Sequence, residues 1–231
     1  MSEINTNSFD DRTKLLLNEK FTKLANLKIA ICGIGGVGSI IPNAMLRSGI
    51  KNFVIIDFDT VDISNLNRQI CYTEKDVGKK KVFAMEEFLR TIRNDFKIEK
   101  YDCLIDESFD FSIFNDCDYV FDCIDDIKAK IQLIKYCEQK KIKIISSLGM
   151  GNRIDPSLVK ITTLDKTSYD PVAKILRHDL KKEGIDTSKI RVSFSSEQPI
   201  IKSKVISSMV FVPNASGLCM ASYALDELIN M

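Results

Sequence analysis

LKIAICGIGGVG, residues 27–38, joins a run of apolar residues to a loop rich in glycine. The run from Leu27 to Cys32 is apolar except for Lys28, which predicts a buried strand. The loop contributes Gly33, Gly35, Gly36 and Gly38, and a segment with helical spacing follows it. Glycines placed between a strand and a helix allow a tight turn whose N–H groups face an anion. The sequence therefore predicts a nucleotide phosphate here, although a glycine turn in an empty Rossmann-like unit has the same pattern.

Short apolar runs alternate with helical segments along the first 150 residues. Strands are predicted over residues 27–32, 52–58, 98–104, 119–124 and 142–147. The later part of the chain predicts strands over residues 158–164 and 190–194 and helices over 171–182 and 214–229. This rhythm indicates an α/β fold with a Rossmann-like, doubly wound and mostly parallel sheet and a carboxyl-terminal α+β extension. In such folds ligands bind at the carboxyl ends of the strands.

Composition narrows the class of protein. The chain has 231 residues with 45% hydrophobic and 28% charged residues, and its apolar runs are too short to cross a bilayer. It starts without the basic and apolar segments of a secretory signal, and its seven cysteines are odd in number and scattered. We therefore expect a cytoplasmic protein with reduced thiols and no membrane contact. With one histidine and no CxxC pair, the usual zinc sites are excluded, and any metal is expected on oxygen ligands.

Charged and polar residues follow the glycine loop in a pattern typical of nucleotide sites. Asp57 comes 19 residues after Gly38, where a carboxylate normally binds ribose hydroxyls, so an NAD-dependent oxidoreductase and an ATP-using enzyme fit equally well to this point. Asn65, Arg68 and Lys81 then add an amide and two cations. Two fixed cations favour a triphosphate, because adenylyl transfer needs positive charge around the phosphates. Lys81 alone is also compatible with a solvated helix start.

Two aspartates end the fourth predicted strand. Asp125 would face the same crevice and could hold Mg²⁺ as an oxygen ligand. The alternative for Asp125 and Asp126 is a helix N-cap, and one residue can cap the helix while the other binds metal.

These motifs together resemble the ubiquitin-activating-like superfamily of ThiF, MoeB and HesA proteins, which includes the sulfur-carrier adenylyltransferases. They are GIGGVG at 33–38, DFD at 57–59, SNLNRQ at 64–69, Lys81, and DCIDD at 122–126. The resemblance implies that a substrate carboxylate attacks the α-phosphate of ATP to give an acyl-adenylate. It implies catalytic roles for Arg68, Lys81 and Asp125, with Mg²⁺ on Asp125. It also implies nucleotide binding by Gly33, Gly35, Gly36, Gly38, Asp57, Asp59, Asn65, Arg68, Lys81 and Arg12.

Arg12 belongs to the predicted amphipathic helix over residues 12–25. It resembles the superfamily arginine that crosses a dimer interface into the partner's ATP site, and an ordinary exposed arginine would look the same. With Arg12 read in this way, the resemblance implies a homodimer. It also implies that residues 1–150 form an ATP-binding adenylation core and that residues 151–231 pack on the substrate side of the same domain.

The second half resembles bacterial tRNA threonylcarbamoyladenosine dehydratases. The segments that carry this likeness are SSLGMGNRIDP at 146–156, DKTSYDPVAK at 165–174, SSEQP at 195–199 and FVP at 211–213. That family adenylates the carboxylate of a modified base beside the anticodon and closes it into a ring. The ring-closing nucleophile belongs to the same base, so no catalytic cysteine is required and Cys71 and Cys219 are expected to be ordinary thiols.

The sequence leaves several alternatives open for the partners and cofactors. One alternative is an adenylyltransferase for a ubiquitin-like sulfur carrier, and another is an idle ATP-binding partner of a cysteine desulfurase. A monovalent cation is a further candidate cofactor. Residues 153–204 hold 11 Lys and Arg against 7 Asp and Glu, which indicates either a solvated surface or a docking face for the tRNA anticodon arm. The candidate contacts, on a helix and on a loop over residues 195–208 expected to be mobile, are Lys174, Arg177, Lys181, Lys182, Lys202 and Lys204.

Overall fold

Seven strands form one sheet in a computed structural model that describes residues 7–201 and 206–230. The strands are β1 Lys28–Cys32, β2 Asn52–Ile56, β3 Lys97–Tyr101, β4 Tyr119–Asp122, β5 Lys143–Ser147, β6 Val159–Thr163 and β7 Arg191–Ser195. Their order is β3-β2-β1-β4-β5-β7-β6, and every neighbouring pair is parallel except β6 with β7. The predicted doubly wound, mostly parallel sheet is therefore confirmed. Edge strands are β3 on one side and β6 on the other.

Helices cover both faces of the sheet. They are α1 Asp11–Leu17, α2 Phe21–Leu24, α3 Ile40–Ser48, α4 Lys81–Arg90, α5 Ile127–Lys140, α6 Pro171–Lys182 and α7 Phe211–Ile229. Buried side chains of α2, α3, α4 and α7 form one core with one face of the sheet, and those of α5 and α6 form a second core on the other face. None of the helices in the described residues is long and apolar enough to span a membrane.

The sheet reverses its winding between β1 and β4. The connection from β1 through α3 leads to β2, whereas β4 lies on the other side of β1 and continues through α5 to β5. The loops after β1 and β4 therefore diverge and leave a crevice at the carboxyl edge of the sheet, the switch point where such folds bind ligands. The glycine loop and Asp125 both belong to these two loops.

Two predicted helices differ from the helices of the structure, one by a break within it and one at its start. The single helix expected over residues 12–25 is interrupted at Asn18, whose φ of 51° is left-handed, so α1 and α2 are separate. As a consequence Leu16 is exposed, while Leu17 and Phe21 pack against the core and Leu24 is buried within it. The last helix begins at Phe211 rather than at Asn214, because Pro213 in its first turn needs no hydrogen bond from its nitrogen.

Residues after Gly149 extend the same sheet. Strand β7 pairs in parallel with β5, and β6 pairs in antiparallel fashion at the far edge. Helix α6 starts at the carboxyl edge of the sheet, because its N-cap residue Asp170 accepts a hydrogen bond from the N–H of Gly149, just beyond β5. Residues 202–205 lie outside the described part of the chain, and with them Lys202, Lys204 and part of the loop predicted to be mobile.

Candidate active site

Two glycines of the loop after β1 are required by packing. Gly33 has a φ of +81°, and a Cβ there would lie 2.7 Å from the carbonyl oxygen of Cys123. A Cβ on Gly38 would overlap the carbonyl oxygen of Gly33. Only glycine avoids both the left-handed strain and these close approaches. The loop after β1 is thereby pressed against the loop after β4.

The other two glycines leave open space. A Cβ on Gly35 or Gly36 would make ordinary contacts, at 3.6 Å from Gln69 Nε2 and 3.5 Å from Arg68 Cδ. Among the described residues, no group accepts a hydrogen bond from the N–H of Gly35 or of Gly36. The middle of the loop therefore keeps free N–H donors beside an arginine, the arrangement that binds an anionic phosphate.

Three buried polar atoms border this loop without a partner among the described residues. They are Ser39 Oγ at the start of α3, Gln69 Oε1 and Asn214 Oδ1. The Asn214 amide cannot be turned around, because its Nδ2 donates to the carbonyl oxygens of Arg68 and Val210. Buried polar atoms without partners are costly, so their presence here indicates a place where a polar ligand supplies what the chain does not.

Asp57 holds the glycine loop in place. Its carboxylate accepts one hydrogen bond from the N–H of Ile34 and one from the N–H of Asp59, both 2.8 Å long. Burial raises the pKa of the Asp57 carboxyl, an effect opposed by the nearby Lys81 ammonium and by these two donors. Each oxygen keeps a second lone pair, so a ribose contact remains chemically available to a residue that already shapes the loop.

Lys81 is the first residue of α4 and is buried. Its Nζ lies 2.6 Å from Asp59 Oδ2 and 4.0 Å from Asp57 Oδ1. The two preceding lysines have other partners: Lys79 pairs with Asp76 and Glu87, and Lys80 pairs with Asp102. The structure therefore brings Lys81, and not its neighbours, into the cluster with Asp57 and Asp59.

Asn65 ends a short helical turn after β2, Ile63–Asn65, and Arg68 lies three residues beyond it. Asn65 closes a capping box, since its side-chain oxygen accepts the N–H of Asp62 at 3.2 Å. The aliphatic part of Arg68 covers Gly36, and its Nη1 donates to the Ser64 carbonyl and the Asn67 side chain at 2.9 Å each. The other guanidinium N–H groups donate to no described residue, so they are available to a ligand at the loop.

Asp125 and Asp126 differ in their hydrogen bonds, and one of the two forms the helix N-cap that the sequence left open. The Asp126 carboxylate caps α5 by accepting the N–H of Ala129 at 2.8 Å. Asp125 is exposed, and its carboxylate accepts no hydrogen bond from the described residues. One free carboxylate suits Mg²⁺, which is commonly held by one or two carboxylates together with substrate phosphates and water. No group of three metal-ligating side chains occurs in residues 7–201 and 206–230, so a metal held by protein alone is not built here.

A pocket of about 640 Å³ opens beside Asp125. The loops after β2, β3 and β4 line it, and its walls are mostly apolar. The apolar lining comes from Phe58, Leu104, Ile105, Ile124 and Ala129. The carboxylates of Asp106, Glu107, Asp125 and Asp126 also line the pocket, so it offers both apolar contacts and hydrogen-bond acceptors to a flat heterocycle such as a nucleotide base.

Arg12 lies far from this crevice in its own chain. Asp10, which precedes α1, pairs with Arg93 at 2.7 Å, and Arg93 stands just before β3. The start of α1 is thus attached near the amino edge of the sheet. The glycine loop lies at the opposite, carboxyl edge of the sheet.

The basic residues of α6 differ in their solvent exposure and in their hydrogen bonds to the rest of the chain. Arg177 donates through Nη1 to the Leu164 carbonyl oxygen and to the Thr167 side chain, and its predicted contact with a tRNA phosphate stays a prediction. Lys174 is exposed near the start of α6, and His178 is also exposed. Lys181 and Lys182 are exposed in the last turn, about 12 Å farther from the carboxyl edge.

Two residues of this region escaped the sequence analysis. Asp122 and Lys130 form a buried ion pair with 2.8 Å between Nζ and Oδ2, directly below the loop that carries Asp125. A signal was present: Lys130 falls on the same helical face as the apolar Ile127 and Ile134, where a charge needs a partner.

The cysteines behave as buried thiols. The Cys71 Sγ donates to the carbonyl oxygen of Ser39, and burial raises the pKa of Cys71 to about 12. Burial also raises the pKa of Cys219. At neutral pH these groups are not thiolates, so they lack the form of cysteine that acts as a nucleophile.

Fold and crevice define an α/β protein of the doubly wound class, with its anion loop at the topological switch point. A family model described as the ThiF family matches residues 11–206. The chain therefore belongs to the ThiF family. Sequence and structure comparisons place several members close to it.

Two dehydratases and one adenylyltransferase illustrate what the chain is similar to. The tRNA threonylcarbamoyladenosine dehydratase of Bacillus subtilis is 35% identical over 91% of this chain and 90% of its own length. The Haemophilus influenzae molybdopterin-synthase adenylyltransferase is 30% identical over 68% of this chain and 65% of its own length. A crystal structure of the Escherichia coli tRNA N6-threonylcarbamoyladenosine dehydratase, TcdA, in complex with ATP matches with a TM-score of 0.87 and 30% identity. That match covers 95% of this chain and 93% of TcdA.

Proposed function

We propose that this protein is an ATP-dependent tRNA threonylcarbamoyladenosine dehydratase. It adenylates the carboxylate of threonylcarbamoyladenosine in tRNA and closes the activated group into a ring. The observation that carries the proposal is the open middle of the glycine loop, where the free N–H groups of Gly35 and Gly36 lie beside Arg68. The 35% identity to the Bacillus subtilis dehydratase across nearly the whole length of both chains supports this substrate over a sulfur-carrier protein.

The site residues fit a bound ATP. Free amides at Gly35 and Gly36 and the guanidinium of Arg68 would receive phosphate oxygens, and Asp57 and Asp59 stand where ribose hydroxyls would be bound. The 640 Å³ apolar pocket would take the adenine ring. ATP supplies a good leaving group, since AMP departs from an acyl carbon far more readily than an oxide does. The chain's part is to orient the phosphates and stabilise the charge that develops on them.

The Asp125 carboxylate and two buried side-chain oxygens are the candidate ligands for metal ions. Asp125 would hold Mg²⁺ through one oxygen, with the remaining ligands coming from phosphates and water. A monovalent cation is also compatible with the site, because Gln69 Oε1 and Asn214 Oδ1 are buried oxygens without a partner in the described residues. Both oxygens border the glycine loop rather than the pocket.

Ring closure needs no nucleophile from the protein. The attacking atom belongs to the same modified base as the activated carboxyl group, and well-oriented intramolecular reactions reach effective molarities of about 10⁵–10⁸ M. The raised pKa of Cys71 and of Cys219 agrees with this, because neither thiol is ionised at neutral pH. The enzyme is required to hold the base in place and exclude water.

A homodimer with shared active sites completes the proposal. The Asp10 pair with Arg93 holds the start of α1, and with it Arg12, near the edge of the sheet opposite to the glycine loop. Exposed apolar side chains on α1, Leu15 and Leu16, give a surface for a second copy. A second copy would bring its Arg12 to this site.

Mass analysis of tRNA nucleosides tests the function directly. The protein is incubated with Mg²⁺, ATP and tRNA that carries threonylcarbamoyladenosine, and the digested nucleosides are compared with a reaction lacking ATP. We expect the modified nucleoside to lose the mass of one water while one AMP and one pyrophosphate form for each product. The Asp125→Asn variant, treated in the same way, should bind tRNA and form little AMP.

A different substrate would give different reaction products. Unchanged nucleoside, together with adenylation of the carboxyl terminus of a ubiquitin-like sulfur carrier, would overturn the dehydratase and establish the adenylyltransferase alternative. A protein that binds ATP and turns over neither substrate would indicate a partner module instead, and co-purification with a cysteine desulfurase would then be the next measurement.

A further inference from the structure

A charged pair lies in the interior below the active-site crevice. Lys130 on α5 is 1% exposed and Asp122 at the end of β4 is fully buried. The Lys130 Nζ donates to Asp122 Oδ2 over 2.8 Å. The groups around the pair include the thiols of Cys32, Cys123 and Cys137, whose pKa burial raises, so they stay neutral. Nothing in the proposed chemistry uses this lysine.

A buried ion pair often contributes little to the free energy of unfolding. Removing two charges from water costs about as much as their attraction returns, and well-packed apolar residues often replace such pairs without loss. A pair retained in this position therefore suggests a role in geometry. The contacts of Asp122 indicate which geometry that is.

The pair fixes the loop that carries Asp125. Besides binding Lys130, Asp122 accepts the N–H of Ile124 through Oδ1 at 3.2 Å. The intervening residue, Cys123, donates its N–H to the carbonyl of Cys32 at 2.8 Å and presents its own carbonyl to Gly33. At the other end of the loop, Asp126 caps α5, the helix that also supplies Lys130. Strand end, loop and helix start are thus joined through one carboxylate.

We propose that Asp122 and Lys130 are positioning residues that hold the loop Cys123–Asp126 in the shape the nucleotide site needs. Lys130 orients the carboxylate, the carboxylate holds the Ile124 amide, and that bond sets both the direction of Asp125 and the carbonyl on which Gly33 rests. The inference rests on the proposed function, because Asp125 is assigned to the metal of bound ATP there. Neither residue touches the substrate.

Two double variants separate geometry from charge. Asp122→Asn with Lys130→Gln replaces the ion pair by a neutral hydrogen-bonded pair and keeps an acceptor for the Ile124 amide. Asp122→Leu with Lys130→Met fills the same space and leaves that amide without an acceptor. If the larger side chain prevents folding, Asp122→Ala with Lys130→Met removes the acceptor in a smaller volume. Folding of each variant is checked by thermal melting.

Three measurements are made on each folded variant. They are the hydrogen exchange of the Ile124 amide, the Mg²⁺ concentration needed for half-maximal ATP binding, and kcat with KM for ATP in the nucleoside assay. We expect the apolar pair to expose the Ile124 amide, to need about tenfold more Mg²⁺, and to lower kcat about 10²-fold, the usual cost of misplacing a group by about 1 Å. The neutral pair should stay within about threefold of the wild type in all three.

Lys28→Met is the matched control. Lys28 also pairs with carboxylates, Glu99 at 2.7 Å and Asp116 at 2.8 Å, but it stands at the opposite edge of the sheet. It should leave Mg²⁺ dependence and kcat unchanged.

Two results would overturn the inference. Wild-type kcat and Mg²⁺ dependence in the apolar pair would show that the loop needs no such support, and equal losses in both double variants would show that the charge itself is needed. Amide exchange and ATP binding are measured without tRNA. A wild-type protein that binds ATP with Mg²⁺ but leaves modified tRNA unchanged would therefore reject the proposed function and not this inference.

Discussion

Three consecutive lysines at the start of α4 show how position decides the role of a residue. Lys79 and Lys80 pair with carboxylates at the protein surface, while Lys81 is buried within ion-pair distance of Asp59 and Asp57. An ammonium group held by two carboxylates keeps a third N–H for a phosphate oxygen. The positive charge is already in place before ATP binds, which is the condition for electrostatic catalysis.

Replacing Lys81 tests this reading. We expect Lys81→Ala to lower the rate of AMP formation by about 10²–10³-fold, as the loss of one group aimed at developing charge commonly does. Lys79→Ala, a change at the neighbouring surface position, should stay within about twofold of the wild type. The measurement is steady-state AMP release, with melting curves to confirm that both variants fold. A Lys81→Ala enzyme with wild-type kcat would remove this lysine from the mechanism.

For single residues, the sequence predicted which side chains lie near the glycine loop. It predicted less well which hydrogen-bond and ion-pair partners these side chains have. The glycine spacing and Asp57 could be assigned because each reflects a local backbone requirement. The buried position of Lys81, the cap formed by Asp126 and the internal bonds of Arg177 depend on segments distant in sequence or on side-chain rotamers. Lys130 escaped notice because a single charge on an apolar helix face is read correctly only when its partner on β4 is known.

Helix α6 illustrates the same limit for an element. Its range, Pro171–Lys182, could be predicted because an aspartate before a proline marks a helix start. Its direction relative to the site could not, since that depends on the contact between Asp170 and Gly149. The antiparallel pairing of β6 was hidden in the same way, because its residues alternate no differently from those of a parallel edge strand.

From the direction of α6 we predict different contributions of its two ends to tRNA binding. Lys174 stands near the carboxyl edge, where the modified base must enter, and Lys182 stands about 12 Å farther away. We expect Lys174→Ala to raise the KM for tRNA severalfold and to weaken the dependence of activity on salt, because one phosphate contact is lost. Lys182→Ala provides the control at the far end of the same helix.

Both variants are assayed over a range of salt concentrations, and ATP binding is measured separately. Lys174→Ala should leave the affinity for ATP unchanged. Equal KM values for the two variants, or activity of the wild type that does not fall with salt, would argue against docking of tRNA on this face.

In the whole molecule, different groups of residues lie at the carboxyl ends and at the amino ends of the parallel strands. The candidate nucleotide-binding residues lie at the carboxyl edge, while the amino edge holds the start of α1 through Asp10 and Arg93. A chain arranged in this way has an incomplete site if Arg12 is required. Symmetric pairing of two chains would supply each site with the arginine of the other.

Mixing two inactive variants tests for shared sites. Arg12→Ala and Lys81→Ala should each be inactive as homodimers, whereas a mixed dimer contains one site with both residues intact. We therefore expect activity to return when the two proteins are mixed and allowed to exchange subunits. Sedimentation at the assay concentration gives the oligomeric state. An active monomer, or a mixture as inactive as its components, would reject the shared site.

The open edge of the sheet at β3 limits how such pairing can occur. Its sequence is KIEKY, and its lysines and glutamate carry charge along the strand, with Lys100 paired to Glu86 and Glu99 paired to Lys28. Charged residues along an outer strand oppose its continuation into the sheet of another molecule, a common protection against aggregation. We therefore expect a second copy to dock away from β3, so that a dimer would not continue the sheet from one chain into the other at this edge.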